Sequence, residues 1–98
     1  MKLEKDKYYY TWDNKGIWWS VFQYVRDERI ADPIRCVANY LTSEKTEVRE
    51  LYAICYTGRN RSYREATPIE ERWLNLSLTN GSKVEKPTSE VEENYQIF

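Results

Sequence analysis

The stretch "IWWSVFQYVR", residues 17–26, decides the fold class, because large apolar residues occupy both of its faces if it is extended. Alternate residues of a β-strand point to opposite faces. One face carries Ile17, Trp19, Val21 and Val25, and the other carries Trp18, Phe22 and Tyr24. β-Branched and aromatic residues favour strands. Because both faces need cover, we predict a central strand of a sheet or a wall of a small curled barrel.

Four more segments have the composition of strands and are separated by polar residues typical of turns. They are residues 7–12, 34–42, 47–57 and 63–65. The first is followed by the turn "DNKG", whose Asp, Asn and Gly are common turn residues. The stretch "DERIADP", residues 27–33, predicts a connection between the second and third strands.

The turn "SEKT" suggests a register for the third and fourth strands, with Thr42 opposite Glu47. Cys36 then faces Ala53, and Cys55 lies diagonally from Cys36 on the same face. That diagonal is longer than a disulfide prefers, so we predict two reduced thiols. A slip of one residue would move every side chain to the other face.

The segment "TPIEERWLNLSLTNG" has the signals of a capped helix. Thr67 is a candidate N-cap, Pro68 suits the first helical position, and Glu70 completes a capping box with Thr67. Gly81 can adopt the left-handed conformation that ends a helix. We therefore predict a helix at about 68–80 that closes over an open side or end of the sheet. Its predicted apolar stripe is Ile69, Trp73 and Leu76, with Leu74 beside them and Trp73 as the anchor.

These elements predict a mainly β fold with one C-terminal helix, either a small antiparallel SH3-like barrel or a twisted meander of about five strands. Residues 1–81 are predicted to form one β-rich domain, and residues 82–98 a polar, acidic and mobile tail. The predicted core consists of Trp19, Val21, Val37, Leu51, Ile54 and Trp73. In an alternative α+β arrangement, part of residues 47–56 is helical, because its apolar residues also fit helical spacing.

The composition excludes several classes of function. The chain contains no histidine, which excludes Ser-His-Asp and Cys-His catalysis and most zinc sites. It has no Gly-rich phosphate loop and no supported pair of catalytic carboxylates. We therefore predict a protein that is not an enzyme and uses no cofactor or metal. The net charge of −1 argues against a general nucleic-acid binder.

The sequence also bears on the compartment. No stretch approaches the length of an apolar membrane span, and the N-terminus does not resemble a signal peptide. Two cysteines in such a chain indicate a reducing environment. We therefore expect a cytoplasmic protein without a membrane partner.

The candidate binding residues are arginines and aromatic residues. The loop "GRNRSYR" places Arg59, Arg61 and Arg64 around Tyr63, a composition able to grip phosphates or stack on a base. The same arginines could instead pair with the nearby glutamates. The aromatic candidates are Tyr9, Trp12 and Trp18. So small a domain cannot bury all its rings, and Trp, Tyr and Arg are the usual anchors of protein interfaces.

The stretch "YREATPIEERWLNLSLTNG" resembles the C-terminal segment of small hypothetical proteins of phages and prophages, with the pattern R-x-A-T-P-x-E-x-x-W/L. The matching residues are Arg64, Ala66, Thr67, Pro68, Glu70 and Trp73. The resemblance covers roughly a fifth of the chain and implies an origin in a mobile element, without assigning a functional residue. Many small phage proteins inhibit host defences, as anti-CRISPR proteins do, so the resemblance implies a similar role for this chain.

Three functions therefore compete. The leading hypothesis is a non-enzymatic binding protein, encoded by a phage, that inhibits a host defence system in the host cytoplasm. Its partner would be a host protein or a protein–nucleic-acid complex, reached through protein–protein contact. The second is a nucleic-acid-binding module that uses the Arg59–Arg64 loop and the strand aromatics. The third is a small structural component of a virion or complex, for which a homodimer is one expected form.

Overall fold

The computed structural model describes residues 2–29, 32–58 and 60–89. It contains five strands and one helix. These are β1 (Tyr8–Asp13), β2 (Trp19–Arg29), β3 (Asp32–Thr42), β4 (Arg49–Cys55), β5 (Arg61–Glu65) and α1 (Pro68–Asn80). The prediction of a mainly β fold with a single C-terminal helix is confirmed.

The five strands form one antiparallel sheet in the order β4-β3-β2-β1-β5. Strands β1 to β4 make a twisted meander, and β5 returns to pair with β1 at the far edge. The predicted central strand is confirmed, since β2 is in the middle of the sheet. The predicted division of its faces is confirmed in part: Trp19 and Val21 lie against the helix, while Phe22 and Tyr24 face the opposite, concave side. It fails at its two ends, because Ile17 precedes the strand and is 74% exposed, and the register shifts at Val25.

The two outer edges of the sheet approach each other without closing a barrel. The Thr11 hydroxyl on β1 lies 2.8 Å from the carbonyl oxygens of both Tyr56 and Ser62. Within the described residues, no ladder of backbone hydrogen bonds joins β4 to β5. Of the two predicted forms, the fold is therefore the twisted meander and not the barrel. The sheet is strongly curved, which gives it a concave face.

Two apolar cores cover the two faces of the sheet. On the helix side the buried residues are Val21, Leu41, Trp73 and Leu74. On the concave side they are Leu3, Tyr9, Phe22, Cys36, Ala38, Ile54 and Tyr56. Much of the concave core is aromatic, with the Phe22 and Tyr56 ring centroids 5.8 Å apart. Tyrosines that were not among the predicted core residues therefore pack inside the concave face of the sheet.

The helix is capped as predicted. The Thr67 hydroxyl accepts from the Glu70 amide at 3.2 Å, and the Glu70 carboxylate accepts from the Thr67 amide at 2.8 Å. Gly81 adopts φ 89° and donates its amide to Ser77. The predicted stripe is partly wrong, because Leu76 is 38% exposed. The buried face of the helix is Glu70, Trp73, Leu74 and Ser77.

Trp73 is the anchor of the helix, as predicted. It is buried, its ring centroid lies 5.2 Å from that of Trp19, and its indole Nε1 donates to the Val84 carbonyl at 2.6 Å. The segment after the helix therefore contacts the fold at its start: Lys83 also donates its amide to the Thr46 carbonyl. The predicted mobility of residues 82–98 stays a prediction, and residues 90–98 lie outside the described part.

The connection predicted at residues 27–33 is wrong. Strand β2 extends to Arg29 and β3 begins at Asp32, and these two residues pair across the hairpin. The polar residues of this stretch are therefore strand residues near the tip of a long hairpin. The α+β alternative is also wrong, because residues 49–55 are a strand.

The predicted register of β3 and β4 is wrong by one residue at their far end. Cys36 pairs with Ile54, whereas Tyr40 pairs with Arg49, so the register shifts between the two pairs. The extra residue belongs to a β-bulge, and Leu51 in it has φ 53°. Leu51 is 61% exposed and is not a core residue, contrary to prediction. If a bulge is not recognised, the alternation of side chains between the two faces of a strand predicts the wrong face for every residue after the bulge.

Candidate binding surface

The predicted binding residues do not form one site, because the sheet places them on different faces. Tyr9 and Tyr63 lie on the concave core, with ring centroids 6.5 Å apart in an edge-to-face arrangement. Tyr9 is 1% exposed, and its hydroxyl accepts from the Glu4 amide at 2.9 Å. Tyr9 is thus wrong as a contact residue, since its ring is inside the fold. Arg59 lies outside the described residues.

Trp12 and Arg64 lie on the helix side of the sheet, where Arg64 is held by the helix. Its guanidinium donates to both carboxylate oxygens of Glu70 at 2.8 Å and lies 4.3 Å from the Tyr10 ring centroid. Trp12 stacks on the same Tyr10 ring at 5.8 Å. The interpretation that an arginine of this region pairs with a nearby glutamate is confirmed for Arg64.

Glu70 is a buried carboxylate with a structural role. Burial raises its pKa, but the hydrogen bonds from Arg64 and from the Thr67 amide outweigh burial and leave the pKa below its ordinary value. The bond to Glu70 in turn raises the pKa of Arg64. The pair joins β5 to the first turn of α1, so Arg64 has a structural role, with its side chain 43% exposed.

Trp18 and Arg61 meet at the mouth of the concave face, in a groove of about 320 Å³ that we call the Trp18 groove. The Arg61 guanidinium carbon lies 3.8 Å from the Trp18 ring centroid. Its Nη1 donates to the Cys55 carbonyl at 2.9 Å. Further walls of the groove come from Tyr40 on β3 and from Arg49 and Tyr52 on β4.

The Trp18 groove exists because residues distant in sequence converge at one end of the curled sheet. Trp18 directly precedes β2, and Thr42 at the end of β3 lines the same groove. Arg61 at the start of β5 reaches across to Cys55, the last residue of β4. Arg61 therefore also connects β4 and β5, the two edge strands, which no backbone ladder joins within the described residues.

The charges around the Trp18 groove are mixed, with a small basic excess. Its basic residues are Lys45, Arg49 and Arg61, and its acidic residues are Glu44 and Glu47. Arg49 lies 3.4 Å from Glu47, but both side chains are well exposed, and such pairs contribute little to stability. The groove is therefore a place where a ligand can meet cations beside aromatic rings.

Beside this groove, β4 presents two large apolar side chains to solvent. Leu51 is 61% exposed and Tyr52 is 55% exposed. Leu51 is also strained, because a left-handed φ of 53° is unfavourable for a residue with a branched side chain. Its amide donates to the Asn39 side-chain oxygen at 2.9 Å, which holds the bulge in place. Strained residues of this kind cluster at functional sites.

Sequence reasoning missed the residues of β3 and β4 in this surface. The Tyr40 hydroxyl donates to the Ala53 carbonyl at 3.1 Å, and burial is the main cause of its raised pKa. The Arg49 guanidinium carbon lies 4.9 Å from the Tyr52 ring centroid. Alternation places Tyr40 on the face of Cys36, a signal present in the sequence. Tyr52 could not be placed without knowing the bulge.

The two cysteines are unpaired thiols, as predicted. Because Cys36 pairs with Ile54, the next residue, Cys55, points to the opposite face of β4, contrary to the predicted shared face. Burial raises the pKa of Cys36 to about 12, so its thiol is a poor nucleophile at neutral pH. Among the described residues, no group of three His, Cys, Asp or Glu side chains is placed to hold a metal ion.

Comparison with known proteins gives no relative: no family model, no curated protein sequence and no solved structure matches the chain. Fold and surface therefore define only a class, a small curled antiparallel sheet covered by one C-terminal helix. Over the described part of the chain, no helix is long and apolar enough to cross a membrane.

Proposed function

We propose that this chain is a non-enzymatic binding protein that acts by contact with another protein. The contact surface is the exposed part of β4 together with the Trp18 groove. Aromatic residues and arginines at a surface are the usual anchors of protein interfaces. Here Tyr52, Arg49, Trp18 and Arg61 lie around one groove, with Leu51 on the same edge strand.

The observation that carries this proposal is Leu51. Its backbone conformation costs about 1–2 kcal/mol relative to an ordinary strand residue. Its side chain also stays 61% exposed, so burial within the chain offsets little of that cost. A partner that covers Leu51 and its neighbour Tyr52 would gain the apolar burial that the free chain leaves unused. This explains why a strained, exposed leucine is present where glycine or asparagine would fit more easily.

The partner class that we propose is a component of a host defence system, inhibited by occupation of its surface. The support is the resemblance of residues 63–81 to C-terminal segments of small phage proteins. An inhibitor of this kind needs no catalytic group, only a stable surface of the right shape. The compact double-sided core and capped helix supply a rigid support for such a surface.

The test is phage plating on bacterial strains that each carry one defence system, with the chain expressed from a plasmid. Wild-type protein is expected to raise the plating efficiency of a restricted phage on at least one strain. Leu51→Gly and Tyr52→Ala should each lower that effect at least about tenfold, the expected loss for an interface anchor. Leu76→Ala is the matched control, since Leu76 is an exposed leucine on the helix. No rescue on any strain contradicts inhibition of those defences.

The nucleic-acid module remains the alternative, and the geometry supports it less. Of its predicted residues, Arg64 is bound to Glu70 and Tyr9 is buried. The rings on the helix side already have cations of the chain beside them, with Lys83 5.7 Å from the Trp19 centroid. Fluorescence anisotropy with a single-stranded oligonucleotide at low salt tests it, and strong, salt-sensitive binding would favour this alternative over protein contact.

A further inference from the structure

We propose that the Trp18 groove receives a carboxylate side chain of the partner protein, with Arg61 as its main contact. This inference rests on the proposed function and names the chemistry that the groove selects. Arg61 is half-buried, with its guanidinium 3.8 Å from the Trp18 ring centroid and one donor bonded to the Cys55 carbonyl. A guanidinium has five N–H donors, so an edge of the group remains available to an acceptor.

Within the described residues, Arg61 forms no ion pair with an acidic side chain, in contrast to Arg35, Arg49 and Arg64. Ion pairs within 4.0 Å join glutamates to Lys7, Arg35, Arg49 and Arg64. Within the described residues, no such pair reaches Arg61 or the nearby Lys45. Asp13 is directly opposite Arg61 on β1, but its carboxylate accepts from the Ile17 amide and forms no ion pair with Arg61 within 4.0 Å. A half-buried cation that is not ion-paired interacts favourably with an added anion, because the surroundings screen the attraction less than bulk water does.

The charges of the rim favour a single carboxylate over a nucleic-acid backbone. Three basic and two acidic side chains line the groove, which leaves a net charge of +1. Glu44 and Glu47 would repel a chain of evenly spaced phosphates. One carboxylate of the partner can reach Arg61 while a neighbouring neutral or basic group of the partner lies beside Glu44 and Glu47. The partner segment is therefore acidic at one position rather than polyanionic.

The apolar part of the groove suits the stem of such a side chain. Tyr40, Tyr52 and Ile54 line it beside Arg61. Arg49 can contribute as well, since its pair with Glu47 is exposed and easily exchanged for a pair with the ligand. A bidentate bond from a guanidinium to a carboxylate adds geometric selectivity to this attraction. An aspartate or glutamate next to an apolar residue is the sequence that the groove fits.

The experiment is a nuclear magnetic resonance titration of the ¹⁵N-labelled full chain with the blocked peptide acetyl-Ser-Glu-Leu-Ser-amide, which carries a single carboxylate. We expect saturable shifts at the Trp18 indole and the Arg61 side-chain N–H. The Gln-for-Glu peptide should bind about tenfold more weakly, as loss of a charge-assisted hydrogen bond implies. Arg61→Gln should weaken the Glu peptide similarly, while Arg61→Lys retains part of the affinity. Arg35→Gln, which removes an arginine paired with Glu28, should leave affinity unchanged.

Several results would overturn the inference. These are equal binding of the two peptides, shifts confined to another surface, or full affinity in a folded Arg61→Gln protein. Tighter binding of oligo-dT than of the Glu peptide at Trp18 would assign the groove to phosphate instead. The two proposals fail separately. Loss of plating rescue in Leu51→Gly without peptide binding removes only the carboxylate site, whereas peptide binding without rescue on any strain removes only the proposed inhibition.

Discussion

Replacement of Leu51 separates the stability of this protein from its proposed binding. The left-handed backbone at this position disfavours any residue with a Cβ by about 1–2 kcal/mol, and glycine is free of that cost. Since the leucine side chain is 61% exposed, only about two-fifths of its transfer free energy is lost on truncation, roughly 1 kcal/mol. The greater freedom of glycine in the unfolded chain costs about 0.4–1 kcal/mol. We therefore expect Leu51→Gly to leave the free energy of unfolding within about 1 kcal/mol of wild type.

The decisive comparison is between Leu51→Gly and Leu51→Ala. Both remove the same side-chain contacts, but alanine keeps the strained conformation, so the glycine variant should be the more stable by about 1 kcal/mol. In an ordinary strand the order is the reverse, with glycine less stable than alanine by about 0.5–1 kcal/mol. Urea unfolding followed by tryptophan fluorescence measures both. An alanine variant as stable as the glycine variant, or more so, would refute the strained bulge and the argument built on it.

Four further predictions concern the interior. Glu70→Ala should destabilise the protein by about 2–3 kcal/mol, because it removes a capping acceptor and leaves Arg64 without its partner. The pKa of Glu70 is lowered in the folded state, so its charge stabilises the fold above about pH 4.5, and this stabilisation is lost as the pH falls through the lowered pKa. In the Glu70→Gln variant, the free energy of unfolding should therefore decrease less steeply as the solution is acidified. Cys36 should resist iodoacetamide at pH 8 until the chain unfolds, as measured by mass spectrometry, since burial raises its pKa to about 12. Trp73→Phe should lose about 1–2 kcal/mol in urea unfolding through the missing indole bond to Val84, and an unchanged stability would contradict an anchoring role for that bond.

The sequence predicts the parts of this fold that depend on local chemistry. Thr67 and Glu70 satisfy each other's amides within a few residues, and Gly81 supplies a conformation that other residues resist, so the helix ends need no tertiary information. The two apolar faces of β2 likewise follow from alternation in one segment.

What the sequence does not predict depends on where strands shift against each other. The bulge at Leu51 places two residues of β4 opposite Asn39, and no residue typical of a bulge marks it. Arg61 and Trp18 are distant in sequence and meet only because the sheet curls. The candidate surface is made of such contacts. Residue type alone was enough to suggest Trp18 and Arg61, but Arg49 and Tyr52 could be assigned to the surface only once the register of β3 and β4 was known.

The bulge also bears on how a partner can bind. An exposed edge strand with apolar side chains invites pairing with another chain, and β-bulges are a common means of preventing it. In β4 the shift at Leu51 breaks the regular spacing of edge hydrogen-bonding groups while turning the leucine toward solvent. A partner is therefore expected to cover the side chains of Leu51 and Tyr52 and to enter the Trp18 groove, without extending the sheet by a strand. If a complex showed a continuous ladder of backbone hydrogen bonds along β4, the bulge would have to be lost on binding, and its strain could no longer explain the surface.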